Sequence, residues 1–477
     1  MAYRSSLLCG GLAFLMFTQG AFALTGKAAV VIGQRNFTTR QRIANSSKLL
    51  VVYVNNNVVT RTDTILRGDI FRSKWSFDGR RIAFYRNGFG VSIIDADGQN
   101  LRSVAPMVNW PDVRYEQAIA WPGIDSGKWV YYHHSDNCPT CTYGGNGQIW
   151  RVNVNDTSRK ELLCDLKRKD FDQIRDNGLS ISCDAKYAAM EMWGSPEELG
   201  YPNVSHLIAF NFPPQVEPGT GFVTQMTQLN ASGSPFSGGC NVAMSASGNI
   251  LYNFQGAHTC IYASLWNHTS NTSKTYTIGT GGTGTCDLFK DIEPALNSPW
   301  GAGDCVTNIQ GAGNSDQVIV AINFWEYGVG VGERESNQMI VNWKAKEAVY
   351  TTHFPDTRTL PGGKANIFFF ADIGDFWVDG GAANPGNKYQ AADGSWVAVP
   401  GAVAAKNQLK KGPVQWSVTD AIHRNAAMYD SKGKRLGDAS CMRAIAGRPG
   451  VFFVKTSAPN GTSAHRLVIG GSSPIRD

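Results

Sequence analysis

The stretch with the greatest density of chemically competent side chains is YYHHSDNCPTC, residues 131 to 141. On a strand, successive side chains point to opposite faces, so only one of His133 and His134 can face a given pocket. Cys138 and Cys141 have the Cys-x-x-Cys spacing that puts two thiolates on one turn, as a zinc site needs. A second Cys or His pair is missing nearby, and no His follows the second Cys as haem attachment requires, so no metal or cofactor is expected. A further cluster, QGAHTCIYASLWNHT, supplies His258 and His268. If His133 or His134 converges with His258, Tyr131, Tyr132 and an arginine, the set suits eliminative cleavage of a uronate. That reaction needs a cation for the carboxylate, a base for the C5 proton and an acid for the leaving oxygen. His133, His134, His258 and Tyr132 are therefore the catalytic candidates. The competing reading, histidines hydrogen-bonded within turns, stays open.

Aromatic residues offer a non-catalytic alternative. Trp121, Trp193, Trp266 and Trp325 recur near the ends of apolar runs, and an indole face can stack on a sugar. They are the candidate ligand-binding residues, with inter-sheet packing as the competing role. The loop DADGQN begins like a calcium loop but lacks the glutamate at position twelve. There is no Gly-x-Ser-x-Gly elbow, phosphate loop, dinucleotide fingerprint or His-Glu-x-x-His.

The elements that must position these groups are strands. Charged residues are only 17% of the 477, aromatics reach 11%, and 52 glycines supply abundant turns, which is an all-β composition. A net charge of +6 is too dilute to suggest nucleic acid. It allows a mild preference for acidic partners such as acidic glycans. Residues 1–23 read as a secretory signal peptide, with one Arg, an apolar core from Leu7 to Phe17 and a small-x-small site at Ala21-Phe22-Ala23. No later segment is long and apolar enough to cross a bilayer as a helix. In an exported chain the nine remaining cysteines favour disulfides, with Cys164/Cys183, Cys240/Cys260 and Cys286/Cys305 as adjacent pairs. The odd count leaves one thiol over, and Cys441 is the expected one.

The stretch SKWSFDGRRIAFYRNG has echoes downstream: AWPGIDSGKWVYYHHSDN, SISCDAKYAAMEMWG, AMSASGNILYNFQG, QGAGNSDQVIVAINFW and FFFADIGDFWVDG. Each is turn, strand, polar break, and several are followed by a second strand pair such as GVSIIDADGQNLRSV. WSFDGRRIAF followed by GVSIIDADGQ resembles the TolB-like, WD-type β-propeller repeat, which implies four-stranded blades packed radially. Spacing grows from about 46 to about 60–65 residues, and KLLVVYVNNNVVTRT could complete a further blade. The expected fold is a six- or seven-bladed β-propeller over residues 28–380, with a β-sandwich or β-helix as the simpler competitor. The uronate chemistry above is found in propellers such as ulvan and oligogalacturonate lyases, a likeness of fold without a matched motif.

Residues 381–417, rich in Gly, Ala and Pro, read as linker or decorated loop. Residues 418–477 then form a small β-sandwich-like domain. Tyr429-Asp430, Lys432-Gly433-Lys434, Pro449-Gly450-Val451-Phe452-Phe453-Val454-Lys455 and the final strand at His465–Ile469 resemble the type IX secretion sorting domain. That likeness implies secretion machinery as a partner and an address that is secreted or attached to the cell surface. The whole reads as an exported propeller for recognition, polysaccharide being the favoured ligand. A polysaccharide lyase or hydrolase and a protein–protein scaffold are the alternatives.

Overall fold

The polar turn Ser76–Gly79 shows why the chain folds back where it does. Ser76 Oγ donates to Asp78 Oδ1 at 2.6 Å and accepts from the Arg81 N–H at 2.9 Å, while Gly79 N–H donates to Ser76 O at 2.7 Å. Gly79 sits at φ +66°, the left-handed region that glycine enters without penalty. The same network recurs at Ser182–Ala185, where Ser182 Oγ donates to Asp184 Oδ1 at 2.8 Å and accepts from the Tyr187 N–H at 3.1 Å. It recurs at Ser245–Gly248, with the Ile250 N–H donating to Ser245 Oγ at 3.2 Å. Three turns of one hydrogen-bond design establish the repeat in physical terms.

The computed structural model describes residues 23–36, 42–105, 119–135, 147–165, 179–193, 205–212, 227–228, 239–255, 260–267, 272–277, 304–325, 336–345, 347–354, 367–384, 386–399, 426–429, 435–438, 450–458 and 461–469. The chain divides into two compact units, Met1–Ala405 and Lys406–Asp477. In the first, the strands are β1 (Gly26–Asn36), β2 (Ser47–Asn55), β3 (Val58–Gly68), β4 (Ile70–Trp75), β5 (Arg81–Arg86), β6 (Gly90–Asp95) and β7 (Arg102–Ala105). They continue with β8 (Ile119–Ala120), β9 (Trp129–Ser135), β10 (Gly147–Asn153), β11 (Lys160–Asp165), β12 (Ser180–Ile181), β13 (Tyr187–Trp193), β14 (Ser205–Asn211) and β15 (Thr227–Gln228). Next come β16 (Gly239–Met244), β17 (Ile250–Gln255), β18 (Cys260–Asn267), β19 (Thr272–Thr277), β20 (Asp304–Gly311), β21 (Val318–Trp325), β22 (Ser336–Asn342) and β23 (Glu347–Tyr350). β24 (Ile367–Ala371), β25 (Asp375–Val378), β26 (Lys388–Gln390) and β27 (Trp396–Ala398) complete the unit.

Strands β4–β7, β8–β11, β12–β15 and β16–β19 are four-stranded antiparallel sheets in sequence order. The nine-stranded sheet holds two further sets, β20–β23 and β24/β25 with β1, β2 and β3, joined by a single parallel bridge between Ser336 and Phe370. The innermost strands touch in order from β4 through β8, β12, β16 and β20, and β25 meets both β4 and β21. The ring closes where β1 pairs with β24 (Ile32 opposite Ala371) and with β25 (Gly26 opposite Val378). The fold is a β-propeller, built on the all-β pattern expected. The segment Lys48–Thr62, a possible extra blade in sequence, forms the outer hairpin of this closing set.

Cores lie between the sets, and neighbouring residues of one strand enter different cores. Tyr131 of β9 packs with Met190 and Phe212 on one side, its ring 5.6 Å from that of Phe212 and edge-on to it. Tyr132 packs on the other side with Tyr85, Ile93 and Val104. Period-two alternation buries both faces of each sheet, which is what radial stacking requires.

Residues 381–399, read from composition as linker or loop, are hydrogen-bonded into the propeller unit. Gln390 N–H donates to Asn314 O at 2.9 Å, Asp316 N–H to Gln390 O at 2.7 Å, and Ser315 Oγ to Gln390 Oε1 at 2.9 Å. Val399 then packs with Phe77, Cys183 and Ala246, the second residues of the three homologous turns. The β26–β27 hairpin therefore covers the end of the propeller axis at which those turns gather. Cys183 is a free, buried thiol, which corrects the expected Cys164/Cys183 bridge. It lies among axial turns, whereas Cys164 is on β11, the outer strand of the preceding set. Cys138, Cys141 and Cys441 lie outside the described residues.

The second unit holds one antiparallel sheet, in order β29 (Arg435–Asp438), β28 (Ala426–Tyr429), β30 (Gly450–Ala458) and β31 (Gly461–Ile469). Tyr429 pairs with Phe453 in it, and Asp430, Gly433 and Pro449 lie outside the described residues. Residues 1–22 lie outside them too. No helix among the described residues is long and apolar enough to cross a membrane.

Ring closure predicts a sharp contrast between two glycines. A Cβ at Gly374 would stand 1.9 Å from Ala29 O, whereas one at Gly313 would meet Lys74 Cε at an ordinary 3.7 Å. Gly374→Ala is expected to cost about 1–3 kcal/mol or more of stability, and Gly313→Ala to lie within about 0.5 kcal/mol of wild type. Urea denaturation midpoints of both variants check this.

Candidate functional site

Three innermost strands carry a register break at a similar height: β4 between Phe71 and Ser73, β16 between Cys240 and Val242, and β20 between Val306 and Asn308. A bulge leaves one residue unpaired and re-aims its neighbours, and here they turn toward the axis. Arg72, Ser73, Val242, Ala243, Asn308 and Gln310 line the resulting channel with Ile119, Leu179 and Ser180. Its enclosed part is narrow, with room for only a water-sized group, and the rest is open to solvent. Arg72 occupies the bulge position of β4 at φ +46°, an uncommon conformation for a residue with a side chain. β4 runs from Arg72 toward the Ser76–Gly79 turn, so Arg72 is displaced from the end covered by the hairpin.

The channel wall is charged. Arg42 Nη2 lies 2.9 Å from Asp372 Oδ2, which also accepts the Arg72 N–H at 3.2 Å. Burial by itself would raise the Asp372 carboxyl. The guanidinium groups of Arg42 and Arg72 outweigh it and hold the group at about 2. One step along β4, Lys74 Nζ is 3.2 Å from Asp375 Oδ1 and donates to Gly311 O at 3.2 Å. With the Gln310 amide oriented to satisfy both of its atoms, Lys74 also donates to Gln310 Oε1 at 2.7 Å, and Gln310 Nε2 donates to Gly374 O at 3.2 Å. The ammonium thus has two hydrogen-bond acceptors, Gly311 O and Gln310 Oε1, beside its ion pair with Asp375. Burial nevertheless pushes Lys74 down and Asp375 up, opposing the attraction within the pair. Among the described residues that line the channel, Arg72 carries the charge, in a wall otherwise made of small, amide and apolar side chains, and Arg42, Lys74, Asp372 and Asp375 form the network next to it.

Those of the residues singled out in the sequence whose side chains are described, Tyr132, His133 and Trp121, are not among the channel-lining residues. Tyr132 is 8% exposed within an inter-sheet core, where burial pushes its phenol up to about 12 and keeps it protonated. His133 is buried on β9, with its carbonyl accepting the Tyr85 hydroxyl at 3.0 Å. Trp121 is 2% exposed, donates Nε1–H to Gly127 O at 2.7 Å and carries Arg81 over its ring at 5.0 Å. It therefore packs two sheets together and presents no open face to a sugar. His134, Trp193, Trp266 and Trp325 have backbone positions on β9, β13, β18 and β21, and their side chains lie outside the described residues. So does all of His258. Of the catalytic candidates, the two with described side chains, Tyr132 and His133, are not among the residues lining the channel. Arg72, Lys74, Asp372 and Asp375 were missed because FRSKW and ADIGD read as ordinary strand and turn residues. The signal that could have exposed them was two acids flanking a glycine in the last repeat.

No family model matches the chain, and no curated protein matches it. Among solved structures, TolB from Acinetobacter baumannii is 13% identical, with 73% of this chain and 67% of that one covered and a TM-score of 0.40. An oligogalacturonate lyase from Vibrio parahaemolyticus is 10% identical, covering 70% and 82%, with a TM-score of 0.38. The β-propeller domain of the Trilobed protease from Pyrococcus furiosus is 10% identical, covering 65% and 77%, with a TM-score of 0.34.

The Asp372 cluster predicts a particular acid response. Its folded-state pKa lies below the ordinary 3.8, so its stabilisation is complete above that value and disappears as pH falls through about 2. Asp372→Asn is expected to be less stable than wild type at pH 7 by about 2 kcal/mol, with the gap closing between about pH 4 and pH 2. Urea midpoints of both proteins across that range provide the check, since carboxylates common to both cancel in the difference.

Proposed function

We propose that this chain is an exported recognition protein whose axial channel receives carboxylate groups of an acidic polysaccharide. The observation that carries the reading is the position of Arg72, the charged residue among the described residues lining the channel, displaced from the end that the β26–β27 hairpin covers. A carboxylate at that site would meet a guanidinium supported from behind by Asp372. In surroundings of low dielectric such a charge attracts an anion more strongly than it would in water. The buried positions of Tyr132 and His133 favour binding over the lyase alternative, because elimination needs an acid and a base that reach the substrate. Four separate sheets and the two sets of the nine-stranded sheet support six blades as the count. Export and surface attachment belong to the same proposal. Their support is the signal-like first 23 residues and the likeness of the tail to a sorting domain, which would engage secretion machinery.

The test is affinity electrophoresis of the mature protein through gels containing polyuronate or neutral polysaccharide, alongside an assay for new reducing ends. Retardation by polyuronate alone, weakening with salt and reduced about ten-fold by Arg72→Gln, is the expected result. Equal retardation by neutral polymers, or no effect of Arg72→Gln, would remove the reading. Release of reducing ends that disappears in His134→Ala or His258→Ala would replace it with the lyase.

A further inference from the structure

We propose that the outer strand β3 pairs, antiparallel and centred on Thr62, with β3 of a second copy of this chain. β3 ends its sheet, and among the described residues its ladder is with β2 alone. It is 11 residues long, whereas the other outer strands β7, β11, β15, β19 and β23 have 4, 6, 2, 6 and 4. Short outer strands are the usual protection against edge pairing, and among the described residues β3 alone departs from it. Most of β3 is exposed, and Val58 at the hairpin tip is 60% accessible.

The occupant follows from the sequence of the strand. Antiparallel pairing about Thr62 sets Arg61 opposite Asp63 of the second copy, and Asp63 opposite its Arg61. Thr60 then faces Thr64, and Val59 and Val58 run toward Ile65 and Leu66. β3 is thus complementary to its own reverse in charge and in apolar character, as a two-fold interface demands. Arg61 and Asp63 share one face 3.0 Å apart, with side chains 60% and 42% exposed, and the Arg61 guanidinium is held 3.9 Å over the Tyr53 ring. Two pairs brought together in this way give four alternating charges. Arg61–Thr64 is the stretch in unbroken register with β2, and the bulged residues Thr60 and Ile65 bracket it. The bulges bracket the segment that carries the charge code and interrupt a regular ladder beyond it, which disfavours open-ended sheet growth.

Sedimentation velocity on the full chain at rising concentration is the test. A reversible dimer is expected, about ten-fold or more weaker in Arg61→Asp, where like charges face each other, and restored in the double variant Arg61→Asp/Asp63→Arg. Thr62→Cys should give an oxidised covalent dimer beyond any formed by wild type, whereas Thr64→Cys, lying off the two-fold axis, should not. A monomer at every concentration, a dimer indifferent to Arg61→Asp, or failure of the double variant to restore association would each overturn the proposal.

Discussion

The propeller depends on one closure, the pairing of β1 with β24 and β25. The strands that meet there are separated by more than three hundred residues. Closing the ring carries Asp372 and Asp375 to the axis, where water is scarce and an unpaired carboxylate is costly. β4 answers with the Arg72 and Trp75 N–H groups and the Lys74 ammonium, each within 3.2 Å of one of the two acids. Arg42 adds the strong pair to Asp372. The last repeat is thereby bonded to the first complete sheet as well as to the first strand. Closure and channel are one set of interactions, so the groups that could meet a ligand are held by the groups that hold the ring.

Local chemistry made the repeat legible. The Ser-x-Asp turn is written in four or five adjacent residues, and its hydrogen bonds survive where the motif decays. Ala185 takes the left-handed position at φ +54° in place of glycine, at a cost of about 1 kcal/mol, because Ser182 and Asp184 still secure the turn. Alternation was legible as well, since Tyr131 and Tyr132 had to face opposite ways. Which neighbour each would meet was not, because that depends on sheets arriving from elsewhere in the chain. Two tyrosines beside two histidines looked like chemistry, and the tyrosines turned out to pack the seams between three sheets.

The channel and its cover lay beyond sequence reading for a related reason. A bulge is a statement about two strands, and nothing in Phe71-Arg72-Ser73 announces that β5 will skip a residue there. The Gly- and Pro-rich stretch after Gly380 has the composition of a linker, yet Gln390 finds backbone partners in Asn314 and Asp316. Composition records the need for turns and is blind to a hairpin whose hydrogen bonds are supplied from seventy residues away. Cys183 misled in the same way: its sequence neighbour Cys164 belongs to an outer strand, and its spatial neighbours are Phe77, Ala246 and Val399.

The axis buries its paired charges while the rim leaves its charges in solvent, and this division has a physical cause. Inner strands of successive sheets approach closely enough for a glycine to be required, as at Gly311 against Met244 O and Gly374 against Ala29 O. Large apolar side chains cannot fill so narrow a seam, and polar groups that bond across it can. Outer strands are splayed, so apolar residues pack between the sheets and only the last strand is left to solvent. A ligand at the axis therefore meets fixed, mutually supported charges with little conformational entropy left to lose. Lys74 is bonded to Gly311 and Gln310 and paired with Asp375, so it belongs to the scaffold, whereas Arg72, braced by Asp372 through its own backbone N–H, lines the channel and is the cation on which the proposed recognition of an acidic group turns.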